Sequence, residues 1–291
     1  DYWDRALYIN KEIGNLRQKA LVLLNWGVAL LNSNKLEEAI KKLNESKNIL
    51  KIIYDKNLYS LCLYNLGEAY LKSCDYQNAY ESLTEAQEKF SLIENDDETL
   101  RALFLLGKFW FFIGDDTELE KILNQFEYYS YTKLSFTDEH ALSYEFLKIM
   151  LVILKNENIF SDRVLYLLEK TNESNFTLFG DLILNILETL CFDKRSSDVL
   201  FFLKHPVFDL LISKNPFFEA YTEYIRGLIV RYDKMEGMKS PLEYFESAFS
   251  KLESESISEL TWKVLIATTE VYIERGNYHK AKKPRIYAWE L

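Results

Sequence analysis

Apolar residues recur at three- and four-residue intervals along almost the whole chain, the period of helices buried on one face. In residues 63–86, LYNLGEAYLKSCDYQNAYESLTEA, one such face carries Leu63, Leu66 and Tyr70, and a second carries Leu83, continuing to Phe90. Cys74 and Asp75 fall between them, so the stretch predicts two antiparallel helices joined by a short turn. Such helices come close only where one offers a small residue, and Gly67, Ala79 and Ala86 stand at those places. A single hairpin cannot bury both faces, so the pattern demands neighbours.

The neighbours come at a fixed step. Gly27, Gly67 and Gly107 are 40 residues apart, as are Ala39, Ala79 and Leu119, then Leu43, Leu83 and Leu123, then Ser46, Ala86 and Phe126. Stepping back from Leu43 and Ser46 reaches Trp3 and Ala6, so residues 1–13 read as the second helix of a repeat whose first helix is missing, as in a fragment of a longer protein. Three regular repeats fill residues 16–130, turning at Asn34-Lys35, Cys74-Asp75 and Gly114-Asp115-Asp116. From 131 to 215 the small-residue columns blur into degenerate repeats. Helices are still predicted from Thr137 to about Lys155, from Ser161, from Asn175 to Cys191, from Ser196 to about Lys204 and from Val207 to about Ser213, with a break at Pro206. The pattern returns over 216–291, with Gly227 in a first helix, a Ser240-Pro241 helix start, and Phe245, Ala248 and Ala288 in second helices. Pro284 should kink the last helix or delay its start.

These residues resemble the tetratricopeptide repeat: Leu66-Gly67 followed by Tyr70 in helix A, and Ala79, Leu83 and Ala86 in helix B. The resemblance implies an all-α fold, a right-handed superhelix of about seven helix hairpins forming one domain over residues 1–291. A 40-residue step exceeds the usual 34 and implies about three extra residues per helix. It is similar to the long repeats in regulatory regions of bacterial signalling proteins, in transcription activators of the maltose-regulator kind and in kinesin light chains.

In that family the first helices line a concave groove. Carried onto this chain, the lining includes Asn25, Val28 and Asn32, then Tyr64, Asn65, Glu68 and Lys72, then Arg101, Phe104 and Lys108, with Tyr221, Tyr224 and Arg231 extending it near the C-terminus. Asn25 and Asn65 occupy places where peptide-binding members hold a ligand backbone, and an amide suits that task because it both donates and accepts. Leu105 interrupts the ladder in the third repeat. The carboxylate clamp of chaperone-docking members is missing, since Leu24 and Val28 replace its polar groups.

The chain has 45 acidic and 35 basic residues, a formal charge of -10, which disfavours nucleic acid and anionic membranes and favours basic or neutral partners. Lys280, Lys282, Lys283 and Arg285 read as a solvated helix face. The three cysteines give no disulfide framework, so a reducing cytoplasm is expected, and no apolar run is long enough for a membrane span. Phosphate-binding, dinucleotide, zinc-protease and nucleophile-elbow motifs are missing. His140, His205 and His279 are scattered, and paired acids such as Asp115-Asp116 suit helix starts. The expectation is a non-catalytic scaffold without cofactor or metal, binding a protein or peptide. Alternatives are a ligand-sensing regulatory domain attached to an effector, and a dimerisation module forming a homodimer.

Overall fold

In a computed structural model, which describes residues 2–132, 137–159, 161–233, 238–252 and 259–290, the chain is all-α. The described residues form sixteen helices and no strand. Two compact units divide the chain, Asp1–Glu157 and Asn158–Leu291, and the division falls in the stretch where the sequence columns blur.

The first unit holds α1 (Tyr2–Glu12), α2 (Leu16–Asn32), α3 (Leu36–Ile53), α4 (Lys56–Lys72), α5 (Tyr76–Leu92), α6 (Asp96–Ile113), α7 (Asp116–Thr132) and α8 (Asp138–Leu154). Helices α2 to α7 each run 17 or 18 residues, the length a stretched repeat requires. Each packs on the next, and α2, α4, α6 and α8 also touch one another in turn. Gly27 and Gly67 explain the close pairing. A Cβ on Gly67 would lie 2.5 Å from Leu83 Cδ2, and one on Gly27 would lie 2.6 Å from Leu43 Cγ. Gly107 breaks this column: its near neighbour is Leu147 of α8, with Leu119 and Ile122 next, and not Leu123. The cause is that α6 packs on α8 as well as α7, which leaves residues 102–109 buried without interruption.

The turns repeat a device finer than the 40-residue step. Gly14, Asn34, Tyr54, Cys74, Glu94 and Gly114 all have positive φ, between 55° and 84°, and they stand 20 residues apart. At every one of them except Tyr54 the following N–H closes back on the helix, as in Lys35 to Leu30 O at 2.9 Å and Asp75 to Tyr70 O at 2.9 Å, satisfying otherwise orphaned carbonyls. An Asn or Asp then caps the next helix at most of them. Asn15, Asp55, Asp75, Asn95 and Asp115 accept from the N–H three residues on at 3.0–3.3 Å, each contributing about 1 kcal/mol.

The second unit holds α9 (Ser161–Lys170), α10 (Phe176–Phe192), α11 (Ser196–Phe202), α12 (Val207–Lys214), α13 (Pro216–Asp233), α14 (Pro241–Leu252), α15 (Glu259–Glu274) and α16 (Tyr278–Glu290). Here α10 packs on α13, which packs on α14 and α15. Two short helices, α11 and α12, follow α10 where an unbroken second helix would stand, separated at His205-Pro206. Gly180 and Gly227 repeat the close approach: Cβ atoms there would collide with Leu211 and Phe218, and with Phe245. Pro284 lies inside α16, which nevertheless starts at Tyr278. Packing on α15 outweighs the backbone bond that Pro284 removes, so the expected later start does not occur. The side chain of Ala288 lies outside the described residues.

Candidate functional site

Two faces made by first helices carry the polar groups of interest, one in each unit. In the first unit α2 presents Asn25 and Asn32 exposed and Val28 half-buried. On α4, Tyr64 is half-buried, while Glu68 and Lys72 pair at 2.8 Å. Asn65 is only 7% exposed, and its amide donates to Leu61 O at 2.7 Å, so one of its donors is spent within its own helix. Phe104 and Lys108, on α6, are buried. Their register meets neighbouring first helices rather than solvent.

Arg101 stands at the centre of this face. Its Nε lies 3.2 Å from Asp97 Oδ2 and its Nη2 lies 3.5 Å from Glu139 Oε1 on α8. Burial works against its charge, yet Glu139, Asp97 and Glu98 more than offset that and raise its pKa. Burial also raises the pKa of Glu98; Arg101 pulls it down, and Asp97 and Glu139 push it up again. The Tyr64 phenol is pushed well up, first by burial and then by Glu68. Four carboxylates, on Glu68, Asp97, Glu98 and Glu139, thus surround two cations, Lys72 and Arg101, and the face is acidic. His140 is held at the edge of this cluster. Its Nδ1 accepts from Thr137 N–H at 3.1 Å, closing a capping box, which places the proton on Nε2, 3.1 Å from Asp97 Oδ1.

In the second unit Tyr221 and Tyr224 are buried together with Asn185 and Glu188, and the half-buried Lys263 joins them, on three helices, α10, α13 and α15. The Tyr224 hydroxyl donates to Glu188 Oε1 at 2.8 Å. Tyr221 OH lies 2.9 Å from Glu188 Oε2 and 2.6 Å from Asn185 Oδ1. Lys263 Nζ donates to Glu188 Oε2 at 2.5 Å and to Asn185 Oδ1 and Glu259 Oε1 at 3.0 Å. Both carboxylate oxygens of Glu188 are therefore taken by side chains of the network. Arg231 is bound in the same manner, its Nη1 at 2.6 Å from Glu270 and its Nη2 at 2.5 Å from Glu274. These groups fasten neighbouring first helices to one another. The signal for them in the sequence was Asn185 and Glu188 on a helix otherwise almost wholly apolar, since a buried acid needs a partner.

The thiols sit apart from both faces. None of Cys62, Cys74 and Cys191 is in a disulfide. Burial pushes Cys62 and Cys191 up to about 12, and Cys62 Sγ lies 3.1 Å from Leu43 O. Only Cys74 is partly exposed. Ellman's reagent should therefore titrate one thiol per folded chain quickly and the other two only on denaturation, because attack requires an accessible thiolate. Fast reaction of all three would contradict this burial.

Among the described residues no helix is long and apolar enough to cross a membrane, and no group of three or more His, Cys, Asp or Glu side chains could hold a metal ion. No protein-family model matches the chain, and no curated protein matches it.

Proposed function

We propose that the protein is a non-catalytic scaffold of the tetratricopeptide kind, binding a peptide or partner helix on the face made by α2, α4, α6 and α8. The observation that carries this reading is the combination of exposed amides with an acidic, half-buried centre on consecutive first helices. Asn25 and Asn32 offer donors and acceptors to a ligand backbone, Tyr64 offers a ring for side-chain burial, and the carboxylates around Arg101 select the charge. A basic segment fits best. The matching face of the second unit is filled by its own network, so it stiffens the scaffold rather than receiving the ligand. The reduced thiols suit a cytoplasmic setting.

The test is fluorescence anisotropy with a labelled, capped twelve-residue peptide of alternating lysine and leucine, beside its glutamate-leucine counterpart. The basic peptide should bind more tightly. Replacing Asn25 and Asn32 together by alanine should weaken it roughly tenfold, the equivalent of one or two hydrogen bonds, with Tm within a few degrees because both are exposed. Equal affinity for the two peptides, or indifference to the double substitution, would remove this face from the function.

A further inference from the structure

The acidic character of the first-helix face extends past the cluster around Arg101. Asp97 also lines an open cleft of about 600 Å³ at the starts of α4 and α6, together with Lys56, Ile93, Glu94 and Asp96. Three acids there meet one cation. Glu94 and Glu98 are in no ion pair among the described residues, and Asp97 and Glu139 share the single guanidinium of Arg101. The start of α6 supplies about half a positive charge, too little to offset Asp96, Asp97 and Glu98 in its first turn. The face and its cleft thus carry a surplus of negative charge.

One stretch of the chain is of the opposite kind. Between Glu274 and Glu290 there is no acid, and Arg275, Lys280, Lys282, Lys283 and Arg285 make this the most basic stretch of a chain of charge -10. The last four lie on α16, which buries Ala281 and half-buries Pro284 as it packs on α15. Lys282 and Lys283 stand on the opposite side of that helix, with Lys280 and Arg285 flanking them, and all four are exposed. None is in an ion pair among the described residues. The acids of α15 are already taken, Glu270 and Glu274 by Arg231 and Glu259 by Lys263. Lys280 with Lys283, and Lys282 with Arg285, are like charges three residues apart, a spacing that costs the helix stability until an anion meets them.

We propose that α16 of one copy of the chain docks on the first-helix face of the first unit of a second copy. This rests on the reading of that face as the place for a basic segment, and it names the segment. The cations of α16 meet Glu94, Asp97 and Glu98, and Tyr278, 70% exposed and one turn before Lys282, brings the apolar area that Ile93 and Tyr64 receive. A 13-residue helix is about 20 Å long, the width of three first helices packed about 9–10 Å apart. Each copy offers a different surface to its neighbour, so the contact is heterologous and builds a ring or an open chain of copies.

The test is sedimentation velocity of the unaltered chain and of a fluorescently labelled variant carrying Lys280→Gln, Lys282→Gln and Lys283→Gln. All three positions are exposed, so Tm should stay within a few degrees. The unaltered chain should gain mass with concentration and lose it as salt rises, and the variant alone should need roughly tenfold more protein to associate. Its acidic face is intact, so unlabelled unaltered chain should still draw it into a faster-sedimenting species. The lysine-leucine peptide should release it, because peptide and α16 occupy one face. The proposal is overturned if the unaltered chain stays monomeric up to about 100 µM, if the variant associates as readily as the unaltered chain, or if the unaltered chain fails to recruit it. Peptide that binds without releasing the variant also overturns it, since α16 then docks elsewhere. In these four cases the scaffold reading still stands on its own peptide and asparagine test. Association through the three lysines with a peptide that neither binds nor competes removes both readings.

Discussion

Gly67→Leu destabilises the first unit by about 3 kcal/mol, an effect large enough to remove much of the stability of a domain. The Cβ alone, placed 2.5 Å from both Cγ and Cδ2 of Leu83, sits about 1.0–1.5 Å inside the roughly 3.5–4.0 Å optimum for carbon contacts. Leu83 has nowhere to go, because it is fully buried, and the rest of the new side chain has no vacancy to enter. The hairpin of α4 and α5 must separate, and with it the contacts of α4 with α2 and α6. Hydrogen exchange followed by mass spectrometry would locate the damage: protection should fall across α4 and α5 and stay near normal in α13 to α15. Pairing the change with Leu83→Ala should recover part of the loss, since the second substitution vacates the space the first one invades. A Gly67→Leu protein as stable as the parent would mean that the two helices are not in this contact.

That contact was legible in the sequence because it depends on residue size at a fixed spacing. Gly27, Gly67, Leu43 and Leu83 recur with the period, and the geometry follows. The 20-residue spacing of the turns was harder to see, because the left-handed position is filled by Gly14, Asn34, Tyr54, Cys74, Glu94 and Gly114, six positions without a common side chain. The backbone conformation is shared and the residue type is not, so the signal lay in the cap that follows, at Asn15, Asp55, Asp75, Asn95 and Asp115. In the second unit Gly180 plays the part of Gly67, yet it stands 47 positions before Gly227. The break at Pro206 divides the intervening helix into α11 and α12 and spoils the period.

The site residues divide along a similar line. Asn25, Asn32, Glu68, Lys72 and Arg101 keep some exposure where the resemblance placed them. Phe104, Lys108, Tyr221 and Tyr224 are buried, because the long first helices press on one another in turn. Periodicity gives the face of a helix that points toward its neighbours, and it does not say how closely the next first helix approaches. The acids gathered around Arg101 come from α4, α6 and α8 and have no spacing in common, so nothing short of the fold could assemble them.

The network in the second unit gives the other large effect. Glu188→Ala should destabilise that unit by about 3–5 kcal/mol, the usual consequence of removing one partner of a buried ion pair. It leaves Lys263 with Asn185, Tyr221 and Glu259, and strips the Tyr224 hydroxyl of its carboxylate acceptor. Glu259→Ala is the control: that carboxylate is partly exposed, unlike the buried Glu188, so its loss should cost under about 1 kcal/mol. Alkaline pH tests the same assembly without mutation. Burial opposes the charge of Lys263, but Glu188 and Glu259 outweigh it and raise its pKa above the ordinary 10.5. Tyr221 and Tyr224 are raised above 10.0, by burial first and by Glu188 second. All three groups hold their protons more tightly folded than unfolded, so their contribution is complete below about pH 10 and is lost as pH rises through the folded values. The second unit should therefore lose protection against hydrogen exchange at high pH, after correction for the intrinsic exchange rate. Substituting both tyrosines by phenylalanine should flatten that slope while lowering stability at neutral pH, because Glu188 then loses two of its donors. If the slope is unchanged in the double variant, the tyrosines are not buried against Glu188 and the three first helices of this unit are joined in some other way.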